Sequence, residues 1–95
     1  MTAYAIVDLE VNDIEQYLGY QRAVRPLLDA VGARYLARGG ESRVFEGDYQ
    51  PHRLILLEFP SLEVMEEFFL GAAYQSLEDQ RQACSSARIL GVEGL

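Results

Sequence analysis

Seven consecutive residues, Arg53-Leu54-Ile55-Leu56-Leu57-Glu58-Phe59, read as a strand that is apolar on both faces. Side chains alternate along a strand, so Ile55, Leu57 and Phe59 point one way and Leu54, Leu56 and Glu58 the other. A strand with one face in water shows polar residues on its wet side. This one demands cover on both sides, and the rest of the chain has material to cover only one. A second copy of the chain is the expected remedy.

At 95 residues the chain makes one domain, 1–95, and 49% hydrophobic residues allow a small core. No apolar run approaches the roughly 20 residues of a membrane helix. No basic segment precedes the apolar run at the N-terminus, so we expect no signal peptide and a cytoplasmic protein. Cys84 is the sole cysteine, which rules out an internal disulfide and a tetrahedral cysteine site. No activating pattern surrounds it, so we read it as a small apolar residue rather than a nucleophile. The net charge of −7, with 15 acidic and 8 basic residues, opposes binding to nucleic acid and to anionic membranes. No local basic cluster is expected to reverse this.

Tyr4 to Val11 alternates as a strand, with Ala5, Val7, Leu9 and Val11 on one face and Tyr4, Ile6, Asp8 and Glu10 on the other. Asp13 then caps a helix, its carboxylate accepting free N–H groups of the first turn. Tyr17, Tyr20, Val24, Leu27, Leu28 and Val31 form the buried stripe of that helix. Pro26 lies inside the pattern and predicts a kink or break near Arg25. Gly32 suits a left-handed stop. Residues 33–38 read as the second strand, Gly39-Gly40 as a kink or bulge, and residues 43–47 as its extension. The polar loop 48–52 leads to the apolar strand 53–59. Ser61 caps the next helix, whose apolar face carries Leu62, Met65, Phe68 and Phe69. Gly71 interrupts it, a shorter helical piece follows from about Tyr74 to Cys84, and residues 87–92 form the last strand.

This order predicts an α+β fold, a ferredoxin-like βαββαβ sandwich with an antiparallel sheet and both helices on one face. Ala5, Val7, Leu9, Phe45, Ile55, Leu57 and Phe59 suit the covered face. Tyr4, Ile6, Val44, Leu54 and Leu56 are left on the other, where each large apolar side chain in water forgoes roughly 1.5–3 kcal/mol. The same face of a second subunit under two-fold symmetry is the simplest cover. Asp8, Glu46 and Glu58 share that face by parity, within reach of Arg34, Arg38 or Arg88. They read either as a base or binding group or as a salt-bridge set that fixes how two subunits dock.

The stretches Tyr35-Leu36-Ala37-Arg38-Gly39-Gly40, Phe45-Glu46-Gly47-Asp48, Pro51-His52-Arg53-Leu54 and Leu57-Glu58-Phe59-Pro60-Ser61 resemble the domain of unknown function 1330 family, as do Tyr74-Gln75-Ser76-Leu77 and Arg81. The resemblance covers nearly the whole chain. It implies the dimeric α/β-barrel superfamily, in which two ferredoxin-like subunits pack sheet against sheet. The family carries no general activity. The wider superfamily includes cofactor-free monooxygenases, haem-degrading oxygenases, lactone isomerases and stress-response proteins. The haem-degrading enzymes use an Asn, Trp and His set, and this chain has no Trp. Other relatives use a His-Asp pair, whereas the only histidine here, His52, reads as a solvent-facing loop residue.

Gly39-Gly40 has neither the spacing nor the following helix of a phosphate loop, and no serine sits in a nucleophile elbow. A metal site would need Asp8, Glu46, Glu58 and His52 to converge, and no spacing demands it. Neither a metal nor a cofactor is expected. Tyr17, Tyr20 and Tyr74 could line an aromatic cleft, although Tyr17 and Tyr20 read as helix-packing residues with hydroxyls at the rim.

Two readings follow. In the first, the chain is a homodimer that binds a small organic molecule in a cleft between sheet and helices. Its chemistry would be proton transfer or cofactor-free oxidation, as in an isomerase or monooxygenase. Arg38, Glu46, His52, Arg53 and Glu58 are the candidate ligand-binding residues, with Arg38 on an anionic or carbonyl oxygen and Glu58 or Glu46 as base. In the second, the dimer is structural or stress-related and its charges only set docking.

Overall fold

A computed structural model describes residues 1–95. The chain runs β1 (Ala3–Val11), α1 (Ile14–Ala30), β2 (Arg34–Arg38), β3 (Leu54–Phe59), α2 (Leu62–Leu70), α3 (Ala72–Cys84) and β4 (Ser85–Glu93). The strands form one sheet in the order β2-β3-β1-β4, with every neighbouring pair antiparallel. This is the ferredoxin-like arrangement that the element order predicts, with the second helical segment divided at Gly71.

Local chemistry sets the boundaries. The Gln16 N–H donates to Asp13 Oδ1 at 3.2 Å, and the Val64 N–H donates to Ser61 Oγ at 3.1 Å, so both helices start at their caps. After α1 the Ala33 N–H reaches Leu28 O and the Gly32 N–H reaches Asp29 O. That double bond pattern needs a left-handed residue, and Gly32 has φ +77°.

The core lies between the sheet and the helices. Ala3, Ala5, Val7 and Leu9 of β1 meet Ile55, Leu57 and Phe59 of β3 there, with Tyr17, Tyr20, Val24 and Leu28 of α1 and Met65, Phe68 and Tyr74 from above. Phe59 is completely buried, its ring 5.5 Å from that of Phe68 and 5.7 Å from that of Phe69. The molecule measures 36 × 34 × 18 Å. Its 18 Å thickness is that of one sheet plus one helix layer, each roughly 10 Å deep. The second face of the sheet carries no layer.

Three expectations need correction. Helix α1 runs through Pro26 without a break. Pro26 lies on the exposed side of the helix, where water can serve the carbonyl it leaves unpaired. Residues 43–47 form no strand: β2 ends at Arg38, and residues 39–53 make an exposed connection to β3. Phe45 is therefore 93% exposed instead of lying in the core, and Glu46 and Val44 leave the sheet face assigned to them. The irregularity in β2 also falls elsewhere. The register shifts between Tyr35 and Ala37, so Leu36 is the extra residue of a β-bulge.

Pro26→Ala restores a helix N–H at an exposed position. Removing a mid-helix proline is worth ~3 kcal/mol and loosening the unfolded chain returns ~1 kcal/mol. We expect the variant to be more stable by roughly 2 kcal/mol in denaturant titration; a loss of stability would show that the proline is accommodated without cost.

Candidate functional site

The bulge at Leu36 decides where the arginines of β2 go. Arg34 stands opposite Glu58 on the open face and Tyr35 opposite Leu57 on the covered one. One extra residue reverses the alternation, so Ala37 falls opposite Leu56 and Arg38 opposite Ile55. Arg38 thus faces the helix layer, with its guanidinium 4.8 Å from the Tyr35 ring centre. Arg34, not Arg38, pairs with Glu58, its Nε 2.9 Å from Oε1. Arg38 and Glu58 therefore stand on opposite sides of the sheet and cannot hold one small substrate between them within a protomer.

The remaining candidates are also dispersed. Arg53 precedes β3 on the helix side, its guanidinium against Gly39, and its Nε is buried with no hydrogen-bond partner. Gly39 has φ +71°, which favours glycine, and a Cβ there would make the Arg53 guanidinium shift. Burial pushes the Tyr17 pKa above its ordinary value, and the nearby Arg53 and Arg38 guanidinium groups oppose that rise. Glu46 lies in the exposed connection. Thus Arg38 and Arg53 share one side of the molecule, His52 and Glu58 sit apart on the other, and Glu46 joins neither. Arg38 also lines a surface groove of about 340 Å³ with Arg22 and Arg25, beside Asp29. This local gathering of cations corrects the expectation of none.

His52 belongs to a polar concavity of about 390 Å³ at one end of the open face. Asp8 and Glu10 of β1 form its floor with Ser86 and Arg88 of β4, which stand opposite them in register. The connection folds Tyr49, Gln50 and His52 over it. The Tyr49 hydroxyl donates to Asp8 Oδ2, and the His52 N–H donates to Oδ1 at 3.0 Å. The His52 ring reaches Glu10, Nε2 to Oε2 at 3.5 Å, and Arg88 lies 5.9 Å from the centre of the Tyr49 ring. The bond from Tyr49, helped by the His52 N–H, holds the Asp8 carboxyl below its usual range although burial opposes it, and the same bond pushes Tyr49 up. No three of the His, Cys, Asp and Glu side chains gather to hold a metal ion.

A second space lies between the layers. A cavity of about 40 Å³ is lined by Tyr20, Tyr35, Phe68, Phe69, Tyr74 and Arg81 among aliphatic side chains. The Tyr20 hydroxyl donates to that of Tyr74 at 3.3 Å. Burial first, and then Tyr74, pushes the Tyr20 pKa far above its ordinary value, so Tyr20 stays neutral. Tyr17, Tyr20 and Tyr74 are all buried, and Tyr20 and Tyr74 line this interlayer cavity. Arg81 was not a candidate from sequence. Its one local sign is its place on α3 three residues before Cys84 and four after Leu77, a position on the buried stripe of that helix.

The Tyr49 and His52 donors favour ionised Asp8, so its contribution to stability is complete above its unfolded pKa of about 3.9 and fades as pH falls through the lower native value. Tyr49→Phe should therefore raise the Asp8 titration midpoint in the folded protein, followed by carboxyl carbon NMR. An unchanged midpoint would remove Tyr49 as the main cause.

The sequence matches the family described as domain of unknown function 1330 over residues 2–95. A search of curated proteins finds no match. Among solved structures, a protein of unknown function from Rhodopseudomonas palustris is 18% identical, with a TM-score of 0.78 over 99% of this chain and 82% of that one. A dimeric ferredoxin-like protein of unknown function from Jannaschia is 14% identical, with a TM-score of 0.70 over 99% and 100% of the two chains. A dabb family protein with a ferredoxin-like fold from Mesorhizobium loti is 10% identical, with a TM-score of 0.65 over 99% and 97%. At such identities the likeness carries the fold. The match over residues 2–95, together with the motifs set out above, shows that this chain belongs to the domain of unknown function 1330 family.

Proposed function

We propose that the protein works as a homodimer, joined open sheet face to open sheet face, which holds a small organic molecule in the cleft between sheet and helices of each subunit. The observation that carries this is the uncovered face. Tyr4 stands opposite Val92, Ile6 opposite Leu90 and Leu56, and Asp8 opposite Leu54, so an apolar strip crosses the adjacent strands β3, β1 and β4. Leu90 is 56% exposed and Val92 48% exposed. Tyr4, Ile6, Leu54 and Leu56 are only half-buried although they sit in mid-sheet. A twin of the same surface covers such a strip without any further element. Covering it leaves the helix side free for a ligand. The descriptions of the Jannaschia protein and of one from Thermobifida fusca as dimeric support the reading.

A structural dimer with no ligand is the second reading, favoured by the Arg34–Glu58 pair. That pair lies on the open face, Glu58 largely shielded, where it would fix the docking angle of two sheets. On that reading Glu58→Leu leaves Arg34 unpaired at the contact and weakens the dimer.

Sedimentation equilibrium tests the dimer. We expect twice the chain mass of 10.7 kDa at micromolar concentration. Leu56→Glu sets a carboxylate on the strip and should give a monomer whose unfolding midpoint no longer depends on protein concentration. A wild-type mass of one chain at that concentration would end the proposal.

A further inference from the structure

The interlayer cleft holds one arginine with a buried donor that the packing leaves unused. Arg81 is 7% exposed, and its Nε is buried without a hydrogen-bond partner. The Glu78 carboxylate lies 3.8 Å from its Nη2, beyond hydrogen-bond range, and is the more exposed of the two. Arg81 is the only charged group lining the cavity of about 40 Å³, whose other walls are aliphatic and aromatic side chains. A buried guanidinium N–H with no acceptor is costly, and a carboxylate placed on it offsets part of that cost.

We propose that Arg81 anchors the carboxylate of a small monoanionic organic acid with an apolar body. This names the ligand class for the cleft of the proposed function and rests on that reading. The planar guanidinium offers two parallel donors to a carboxylate. The Tyr20 and Tyr74 hydroxyls line the same cavity and supply further polar contact. At about 40 Å³ the space is small, so it takes the head group alone. The body has a place beside it. An outer concavity of about 260 Å³ is lined by Met65, Phe69, Leu70, Tyr74, Ile89 and Leu90. Phe69, Tyr74 and Ile89 border both spaces, so these three side chains form the wall that an occupant displaces.

Charge sets the class further. Neither lining contains a second cation, and Glu78 borders the outer space. A dianion, whether a dicarboxylate or a phosphate ester, would meet that carboxylate with nothing to neutralise its second charge. A neutral amide would fill the same shape and leave the guanidinium unpaired.

Benzoate and hexanoate serve as probes, with benzamide and phthalate as the neutral and doubly charged controls. Titration calorimetry and thermal unfolding of the full-length protein measure binding, and the Arg81 Nε–H resonance reports the contact. We expect benzoate and hexanoate to raise the unfolding midpoint and shift that resonance. Benzamide and phthalate should bind about tenfold or more weakly. Arg81→Met should lose the benzoate effect. Loss of a buried arginine can itself unfold the variant, so the Nε–H shift in the wild-type protein decides independently. Equal binding of benzoate and benzamide would overturn the carboxylate assignment and leave the cleft reading standing. Failure of all four probes to bind would overturn both. Benzoate binding undiminished in a folded Arg81→Met variant, or binding with no Nε–H shift, would remove Arg81 from the site.

Discussion

Strand β1 is the element on which the molecule depends. It is hydrogen-bonded on both edges, to β3 and to β4, and its side chains alternate without exception along Ala3–Leu9. The odd-numbered positions, Ala3, Ala5, Val7 and Leu9, are small or slender and fully buried, which lets the helix layer settle directly on the sheet. The even-numbered positions are Tyr4, Ile6 and Asp8, over which no helix packs; the connection before β3 reaches Asp8. Right-handed crossovers send both helical segments to the same side, so the fold cannot supply a second layer from its own residues.

The two sides of the sheet consequently differ in chemistry. The helix side is sealed by aromatic rings, with Phe59, Phe68, Phe69 and Tyr74 in mutual contact and their centres 5.1–5.7 Å apart. Arg81 is buried on that side, whereas Arg38 is exposed. The open side is apolar along its middle and polar at its ends, with the Arg34–Glu58 pair on one edge and the group around Asp8 at the other end. Asp8 and Glu58 lie in the same sheet face yet work locally, one bonded to Tyr49 and His52 and the other to Arg34. The polar concavity beside Asp8 borders the strip proposed for docking, so a twin subunit would lie along its edge.

Most of the architecture was legible because it rests on repeated signals. The alternation of β1 and β3 names the covered face, and Asp13, Ser61 and Gly32 mark helix ends by chemistry that acts within three or four residues. What escaped depends on single events with no periodic signature. One extra residue at Leu36 turns Arg38 to the other side of the sheet and hands Glu58 to Arg34. Pro26 is tolerated because it faces water. Phe45 and Val44 looked like strand residues because local pattern cannot show that no partner strand is available to residues 43–47. Arg81 drew no notice as a site because an arginine on a helix is usually solvated. Only the packing of α3 against the sheet shows that this one is not.

The most direct test of the uncovered face is where two subunits touch. A dimer assembled from one isotope-labelled and one unlabelled chain allows contacts between subunits to be seen alone by filtered NMR. We expect cross-subunit signals from the methyl groups of Ile6, Leu54, Leu56 and Leu90, and none from Val24 or Leu28. Signals confined to the helix layer, or the absence of any between subunits, would contradict the pairing of sheets.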